Sequence, residues 1–231
     1  MFLLIDKPKG ITSHDVVESV RKIAGERRVG HAGTLDPNAT GLLIVGVGRG
    51  STKKLSQFLK LDKEYEAEIF LGEERETDDS EGEIRDRLQA TDNKLISEKR
   101  LGVVLDSFTG QQMQIPPDYS AIKIKGKPAY KYARQGKCLS SSLSPRKITI
   151  YAIKLLDYKY PILRIRTKVS SGTYIRSLAR DIGRKLGCGA YIANLRRTKI
   201  GKYSVMSSVA LDNLEHNGIT EGVFVVNDKL T

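Results

Sequence analysis

Between Gly30 and Gly50 six of twenty-one residues are glycine, and the same stretch holds the apolar run LLIVGV. Each glycine in a helix interior costs about 1 kcal/mol relative to alanine, so no helix runs through this window. It predicts a loop feeding a buried strand. What precedes it is helical: Thr12 and Asp15 fit a capping box, and Val16, Val17, Val20, Ile23 and Ala24 form a stripe at helical spacing. Gly25 and the basic pair Arg27-Arg28 end that helix.

The rest of the chain mixes both kinds of element. LLI at 3–5 reads as a short buried strand, and YEAEIFLG at 65–72 alternates as a strand does. Leu95, Leu101, Val104, Leu105 and Phe108 mark a helix over 94–108. Short strands are expected near 111–115 and 119–125, then a helix near 128–135 and a flexible turn at LSSSLSP, 139–145. Two strands follow at 146–157 and 162–170. Thr173 is placed to cap a helix ending at Gly187, and YIANLRRTKIG makes a last strand and its exit. Gly72 to Glu83 carries seven acids and one arginine; it reads as a solvated loop and lacks the spacing of a calcium loop. Sheet and helix without regular βαβ alternation predict an α/β chain of the α+β type, in a single domain over 1–231.

No apolar run approaches the roughly 20 residues of a membrane-spanning helix. MFLLIDKPKG has too short an apolar segment for a secretory signal. Two cysteines, Cys138 and Cys188, make neither a disulfide framework nor a four-ligand zinc site. A reducing, cytoplasmic location is the expectation. The net charge is +12, unevenly spread: residues 111–150 hold eight Lys/Arg against Asp118, and 164–202 hold eleven against Asp181. Two basic blocks on a slightly acidic body predict a polyanionic partner, nucleic acid first.

Three windows stand out for chemistry. In Gly30-His31-Ala32-Gly33-Thr34-Leu35-Asp36-Pro37-Asn38-Ala39-Thr40-Gly41 one carboxylate, Asp36, sits ahead of a proline at the mouth of the buried strand. Taken alone, Asp-Pro is an ordinary turn. In Ser170-Ser171-Gly172-Thr173-Tyr174-Ile175-Arg176, a cation falls in a first helical turn, where the dipole disfavours it, and asks for a partner such as a carboxylate. Between Tyr119 and Arg134 lysines 123, 125, 127 and 131 interleave with Tyr130 and Tyr132, a pattern suited to phosphates and stacked bases. GVGRGSTK at 46–53 fails both the phosphate-loop and the dinucleotide patterns, Ser13-His14-Asp15 is no triad, and His216 and Cys188 lack metal-ligand companions.

GHAGTLDPNATGLL resembles the catalytic motif of the TruB family of pseudouridine synthases, which isomerise the T-loop uridine of tRNA (position 55). LLIDKPKGITSHD resembles that family's N-terminal motif, and KEYEAEIFLG the one supplying its active-site tyrosine. IPPDYSAIKIKGKPAYKYARQG resembles its RNA-gripping insertion, and SSGTYIRSLARDIGRKLGCGAYIANLRR its last catalytic motif. The likeness covers about residues 2–203. Arg75 stands where the family usually has threonine. Many members also carry a C-terminal PUA domain; about 28 residues follow the stretch of likeness, which ends near residue 203, so a minimal catalytic form is expected.

The resemblance implies one mixed, mostly antiparallel sheet with flanking helices and an inserted thumb at about 111–150. It implies an isomerase that breaks the C1′–N1 bond of uridine, turns the base and joins C5 to C1′, without cofactor or metal. Asp36 would be the catalytic carboxylate and Arg176 its ionic partner. Tyr65 would pack against the uracil, Tyr174 line the pocket and Leu195 wall it. His31 would fill the space the flipped base leaves. Lys123, Lys125, Lys127, Lys131, Arg134, Arg196 and Arg197 would touch RNA. The expected partner is the T-arm stem-loop of tRNA, with no obligatory protein partner and no membrane. Two rivals remain at this point: a non-catalytic RNA-binding protein on the same fold, and a guide-RNA-dependent pseudouridine synthase.

Overall fold

The computed structural model describes residues 1–86, 96–120, 122–124, 126–133, 135, 143–217 and 219. In chain order its elements are β1 (Phe2–Lys7), α1 (Ser13–Ala24), β2 (Val29–Ala32), β3 (Ala39–Val47), α2 (Arg49–Leu59), β4 (Lys63–Leu71), β5 (Glu74–Arg75) and β6 (Ile84–Asp86). Next come α3 (Glu98–Asp106), β7 (Gly110–Gln114), β8 (Lys123–Ile124), β9 (Lys127–Pro128), α4 (Ala129–Ala133), β10 (Arg146–Lys159) and β11 (Ile162–Val169). The chain ends with α5 (Ile175–Leu186), β12 (Ala190–Ile200), β13 (Tyr203–Ser204), a 3-10 turn (Val205–Ser207), β14 (Val209–Ala210) and α6 (Leu211–Asn217). The fold class is the one expected, mixed α/β with mostly antiparallel strands. Two compact units emerge: Met1–Glu66 with Leu195–Thr231, and Ala67–Asn194. No helix among the described residues is long and apolar enough to cross a membrane.

In the first unit the strands lie in the order β14-β1-β3-β12, with β2 also on β3 and β13 on β12. The run LLIVGV fills β3 because both faces there are covered. Leu43, Val45 and Val47 pack with Leu3, Ile5 and the valines of α1. Leu42 and Ile44 pack on the other side with Phe2, Leu4, Leu55 and Phe58. The capping box of α1 is present, with Thr12 accepting from the Asp15 amide and Asp15 accepting from that of Thr12, and Gly25 closes the helix at φ 61°. Helix α2 was not expected. It starts in the glycine-serine stretch that reads as loop, has no side-chain cap, and is held by burial of Ser51, Leu55 and Phe58.

In the second unit the order is β4-β11-β10-β7. Leu163, Ile165 and Val169 of β11 are buried while Arg164, Arg166 and Lys168 between them are exposed, the period-2 pattern of a sheet with one covered face. Helix α3 spans 98–106 within the expected 94–108, and residues 87–95 lie outside the described ones, as do 139–142 of the expected flexible turn. The cap of α5 differs from expectation: Tyr174 is the N-cap residue and no side chain caps the helix, because the Thr173 hydroxyl is turned to Ser170 instead. Gly187 ends the helix at φ 78° as expected.

The acidic segment is the largest departure. Glu74, Asp78 and Asp79 are buried. Burial of unpaired carboxylates is prohibitively costly, and here arginines of α5 meet all three.

Parallel pairing of β3 with β12 sets Gly41 opposite Arg197, at φ +102°. A Cβ there would run into the Arg197 carbonyl oxygen and lie 2.8 Å from its amide nitrogen. Gly10 is also at positive φ, +92°, but a Cβ there meets nothing. Gly41→Ala should cost roughly 3 kcal/mol or more and Gly10→Ala about 1 kcal/mol. Urea unfolding of the two variants checks the difference.

Candidate active site

In the first unit Asp36 rides on the turn between β2 and β3, and every flank of that turn is tied down. Ser13 Oγ accepts from the Leu35 amide at 2.8 Å and lies 3.0 Å from the Leu35 carbonyl, to which it donates. The Gly10 amide donates to the Pro37 carbonyl and the Ala39 amide to that of Asp36, each at 3.0 Å. Two buried cations complete the clamp. Lys7 is 0% exposed, and its Nζ donates to the carbonyls of Pro8 (2.8 Å), Ile11 (2.6 Å) and Pro37 (3.0 Å). Arg197 is 1% exposed and donates to the carbonyls of Leu42 (2.8 Å) and Gly33 (2.9 Å). Burial lowers the Lys7 ammonium to about 8, against the attraction of Asp36 and Asp15.

This corrects one expectation. Arg197 does not reach RNA from this position, because adjacent strand residues point to opposite faces and it points into the core. Arg196, half out, pairs with Asp6 through both carboxylate oxygens, at 3.0 and 2.6 Å. Lys7 was not singled out from the sequence. Its signal was a lysine at an inward position of an otherwise apolar strand.

His31 on β2 lies opposite Val45 of β3. Its Nδ1 is buried with no hydrogen-bond partner among the described residues. Burial, then the charges of Arg197 and His14, lower its pKa, so the ring is neutral at pH 7. Tyr65 is buried on β4. Leu195 pairs with Ala39 across the β3–β12 ladder, three residues from Asp36.

In the second unit Arg176 opens α5 and is 7% exposed. It donates to the carbonyls of Thr77 and Tyr119, both at 2.9 Å, and its Nε lies 3.7 Å from Asp79. Asp79 is thus a carboxylate of the kind the sequence argument asked for. Asp36, the partner expected for Arg176, belongs to the first unit and Arg176 to the second. Tyr174 is latched through its backbone, its amide donating to Gln114 Oε1 (2.9 Å) and its carbonyl accepting from Gln114 Nε2 (3.0 Å).

Arg75 accounts for much of the order of the acidic loop. It donates to Glu73 (2.7 Å) and to the carbonyls of Ser80 (3.1 Å) and Gly82 (3.2 Å), and covers the Tyr191 ring at 4.5 Å. Of the expected RNA contacts in this unit, Lys123 and Lys127 are exposed on the β8–β9 hairpin. The side chain of Lys131, and all of Lys125 and Arg134, lie outside the described residues. Among the described residues no cluster of His, Cys, Asp and Glu is arranged to hold a metal ion.

The family model of the TruB family pseudouridylate synthase N-terminal domain matches residues 21–175, two thirds of the chain. The chain belongs to the TruB family of pseudouridylate synthases. The model of the tRNA pseudouridylate synthase B C-terminal domain matches residues 176–221. The tRNA pseudouridine synthase B of Desulfotalea psychrophila is 48% identical over 207 residues, 87% of this chain and 82% of that protein. The enzyme of the same name from Dehalococcoides mccartyi is 47% identical over 213 residues, 92% of this chain and 69% of that protein.

Among solved structures, the archaeal box H/ACA Nop10-Cbf5 complex matches with a TM-score of 0.67 and 28% identity, over 93% of this chain and 52% of that one. An H/ACA RNP bound to a substrate RNA containing 2′-deoxyuridine matches with a TM-score of 0.68 and 26% identity, over 96% and 56%. The chain therefore spans about half the length of these two solved structures.

Lys7→Met keeps the bulk of the clamp and removes its donors, leaving three carbonyls without them. It should cost about 3 kcal/mol. Denaturant unfolding checks this, and an unchanged midpoint would show that Lys7 does not hold the loop.

Proposed function

We propose that this protein converts a uridine in the T-loop of tRNA to pseudouridine, at position 55, with Asp36 as the catalytic carboxylate. The observation that carries the reading is the Asp36 turn: one carboxylate on a loop immobilised from both sides, in a chain of this family. Rigid placement is what a carboxylate needs to act on a ribosyl-uracil unit.

The reaction is an isomerisation. The C1′–N1 bond breaks, the uracil turns, C5 bonds to C1′, and the proton lost from C5 is balanced by the one gained at N1. Asp36 acts either by attack on C1′ or by accepting a proton from the sugar as a glycal forms. Tyr65 and Leu195 supply apolar walls, and Tyr174 lines the pocket. Arg176 supplies the cation whose loss should mimic loss of the Asp36 charge. His31, neutral and partly open, stacks where the uridine was before it left the helix. Lys123 and Lys127 of the β8–β9 hairpin, with Lys125, Lys131, Arg134 and Arg196, track phosphates of the T-arm. In this reading the enzyme works in the cytoplasm, without cofactor, metal or protein partner.

The tRNA enzymes above stand at 47–48% identity and the H/ACA structures at 26–28%, which favours direct action on tRNA over guided action. Unmodified tRNA with no guide RNA and no other protein is the test, with tritium release from 5-tritiated uridine as readout. Turnover supports the reading; none, with tight binding intact, overturns it.

Asp36→Asn keeps the shape and removes the charge. Turnover should fall to background while tRNA affinity stays within about twofold, because phosphates and not Asp36 hold the RNA. Affinity should also fall steeply with salt as counterions are released, and filter binding measures both. His31→Ala should impair extrusion of a fluorescent target base more than single-turnover chemistry.

A further inference from the structure

Three arginines of α5, one turn apart, meet three acids of the loop after β4. Arg176 faces Asp79, Arg180 Nη1 donates to Asp78 at 2.7 Å, and Arg184 grips Glu74 with two bonds of 2.8 and 2.9 Å. The middle rung is the most enclosed. Asp78 is 5% exposed and Arg180 9% exposed. Asp78 is also the one non-glycine residue at positive φ, 59°, among the described residues, a conformation that asparagine and aspartate tolerate and most side chains do not. Its carbonyl accepts from the Ile192 amide at 3.1 Å. Its neighbour on one side, Thr77, gives its carbonyl to Arg176, and its neighbour on the other is Asp79 itself. Arg180 in turn donates to the Ile115 carbonyl at 3.0 Å and to Asp181 at 3.1 Å. The Asp78–Arg180 bond therefore fixes the peptide whose two ends both touch Arg176.

We infer that Asp78 and Arg180 are a positioning pair for Arg176, holding the Thr77 carbonyl and the Asp79 carboxylate where that guanidinium needs them. The inference rests on the isomerase reading for its kinetic consequence, but not for its structural one. No bond of the reaction involves either residue. What the pair governs is the fraction of molecules in which Arg176 is correctly aimed.

The pair has a built-in pH dependence. The groups facing Asp78 are Arg180, Arg176 and Arg184 of α5 and Arg85 of β6, all cations. Burial outweighs them and raises the Asp78 carboxyl to about 6. Above that pH Asp78 is an anion and the rung is an ion pair. Below it the carboxyl is neutral, and Asp181 is the counter-charge left to Arg180 among the described residues.

The test compares the full-length protein with Asp78→Asn, which keeps the left-handed backbone and a neutral acceptor, and with Arg180→Lys, which keeps the charge without the fork. In the unmutated protein kcat on tRNA should fall between pH 7 and pH 5 with a midpoint near 6. Asp78→Asn should be slower by about tenfold or more at pH 7.5, as misaimed groups are. Its KM should be little changed, and kcat should lose the midpoint near 6. Arg180→Lys, which leaves Asp78 a cation to face, should keep part of the rate and keep the midpoint.

The Arg176 Nε–H signal in a nitrogen-15 spectrum gives a readout free of turnover. It should shift with a midpoint near 6 in the unmutated protein and stay constant across pH 5–7.5 in Asp78→Asn. A signal and a kcat profile both unaltered by Asp78→Asn would overturn the inference. So would a loss of rate in Asp78→Asn that kept the full acid limb. Absence of turnover in the unmutated protein, with the Arg176 signal behaving as described, would reject the isomerase reading and leave the positioning pair standing.

Discussion

The first unit is organised around two cations that spend their hydrogen bonds on peptide carbonyls. Lys7 and Arg197 are buried, and neither needs a carboxylate to be satisfied; between them they hold the carbonyls of Pro8, Ile11, Pro37, Gly33 and Leu42. A loop buried against a sheet must place its carbonyls somewhere. With glycine and proline breaking regular pairing between Gly33 and Asn38, side-chain donors are the available answer. Their charge remains usable because carbonyls do not neutralise it. The attraction of Asp36 acts on Lys7 through space and opposes the loss of its proton that burial promotes.

The second unit solves the same difficulty with opposite materials. Its irregular loop, from Glu74 to Asp79, is held by carboxylates on the loop and guanidiniums on a helix, plus Arg75 closing the loop on its own carbonyls. Ion pairs this enclosed carry little net stability over an apolar alternative, but removing one partner is costly. Their value is geometric: planar forks at one-turn spacing fix where successive loop residues sit.

How much of this was legible follows the range of the interaction. Helix α1 could be read to its caps, since the Thr12–Asp15 box and Gly25 are local signals. So could the alternating strands β4 and β11 and the run in β3. The acidic loop was misread because its countercharges arrive 97 to 110 residues later in the chain, and the i, i+4, i+8 spacing of Arg176, Arg180 and Arg184 identifies a stripe without saying what faces it. Helix α2 was missed because its first turn, Arg49-Gly50-Ser51-Thr52, has loop composition and its stability comes from burying Leu55 and Phe58. Arg197 was misassigned by treating Arg196-Arg197 as one basic feature. On a strand the two must face opposite ways, and one of them had to point inward. Asp36, His31, Tyr65, Tyr174, Arg176 and Leu195 came as candidates from motif likeness. Spacing alone marked only Asp36 and Arg176, because a single carboxylate and a misplaced cation carry a physical oddity that a tyrosine or a leucine does not.

The two clamps differ in how protons undo them, and together they bound the pH interval in which both loops are held. Lys7 must keep three N–H donors to serve three carbonyls; the neutral amine has two. Burial places its loss of a proton at about 8, so above that value three acceptors compete for two donors. The Asp78 rung fails from the other side, since its carboxyl takes up a proton at about 6 and stops being an anion. A clamp built on a buried lysine is thus released by base, and one built on a buried aspartate by acid. Both are fully formed only between about 6 and about 8. In both cases burial is the largest cause: it moves each charge's proton equilibrium toward the neutral form, and nearby opposite charges only partly offset it.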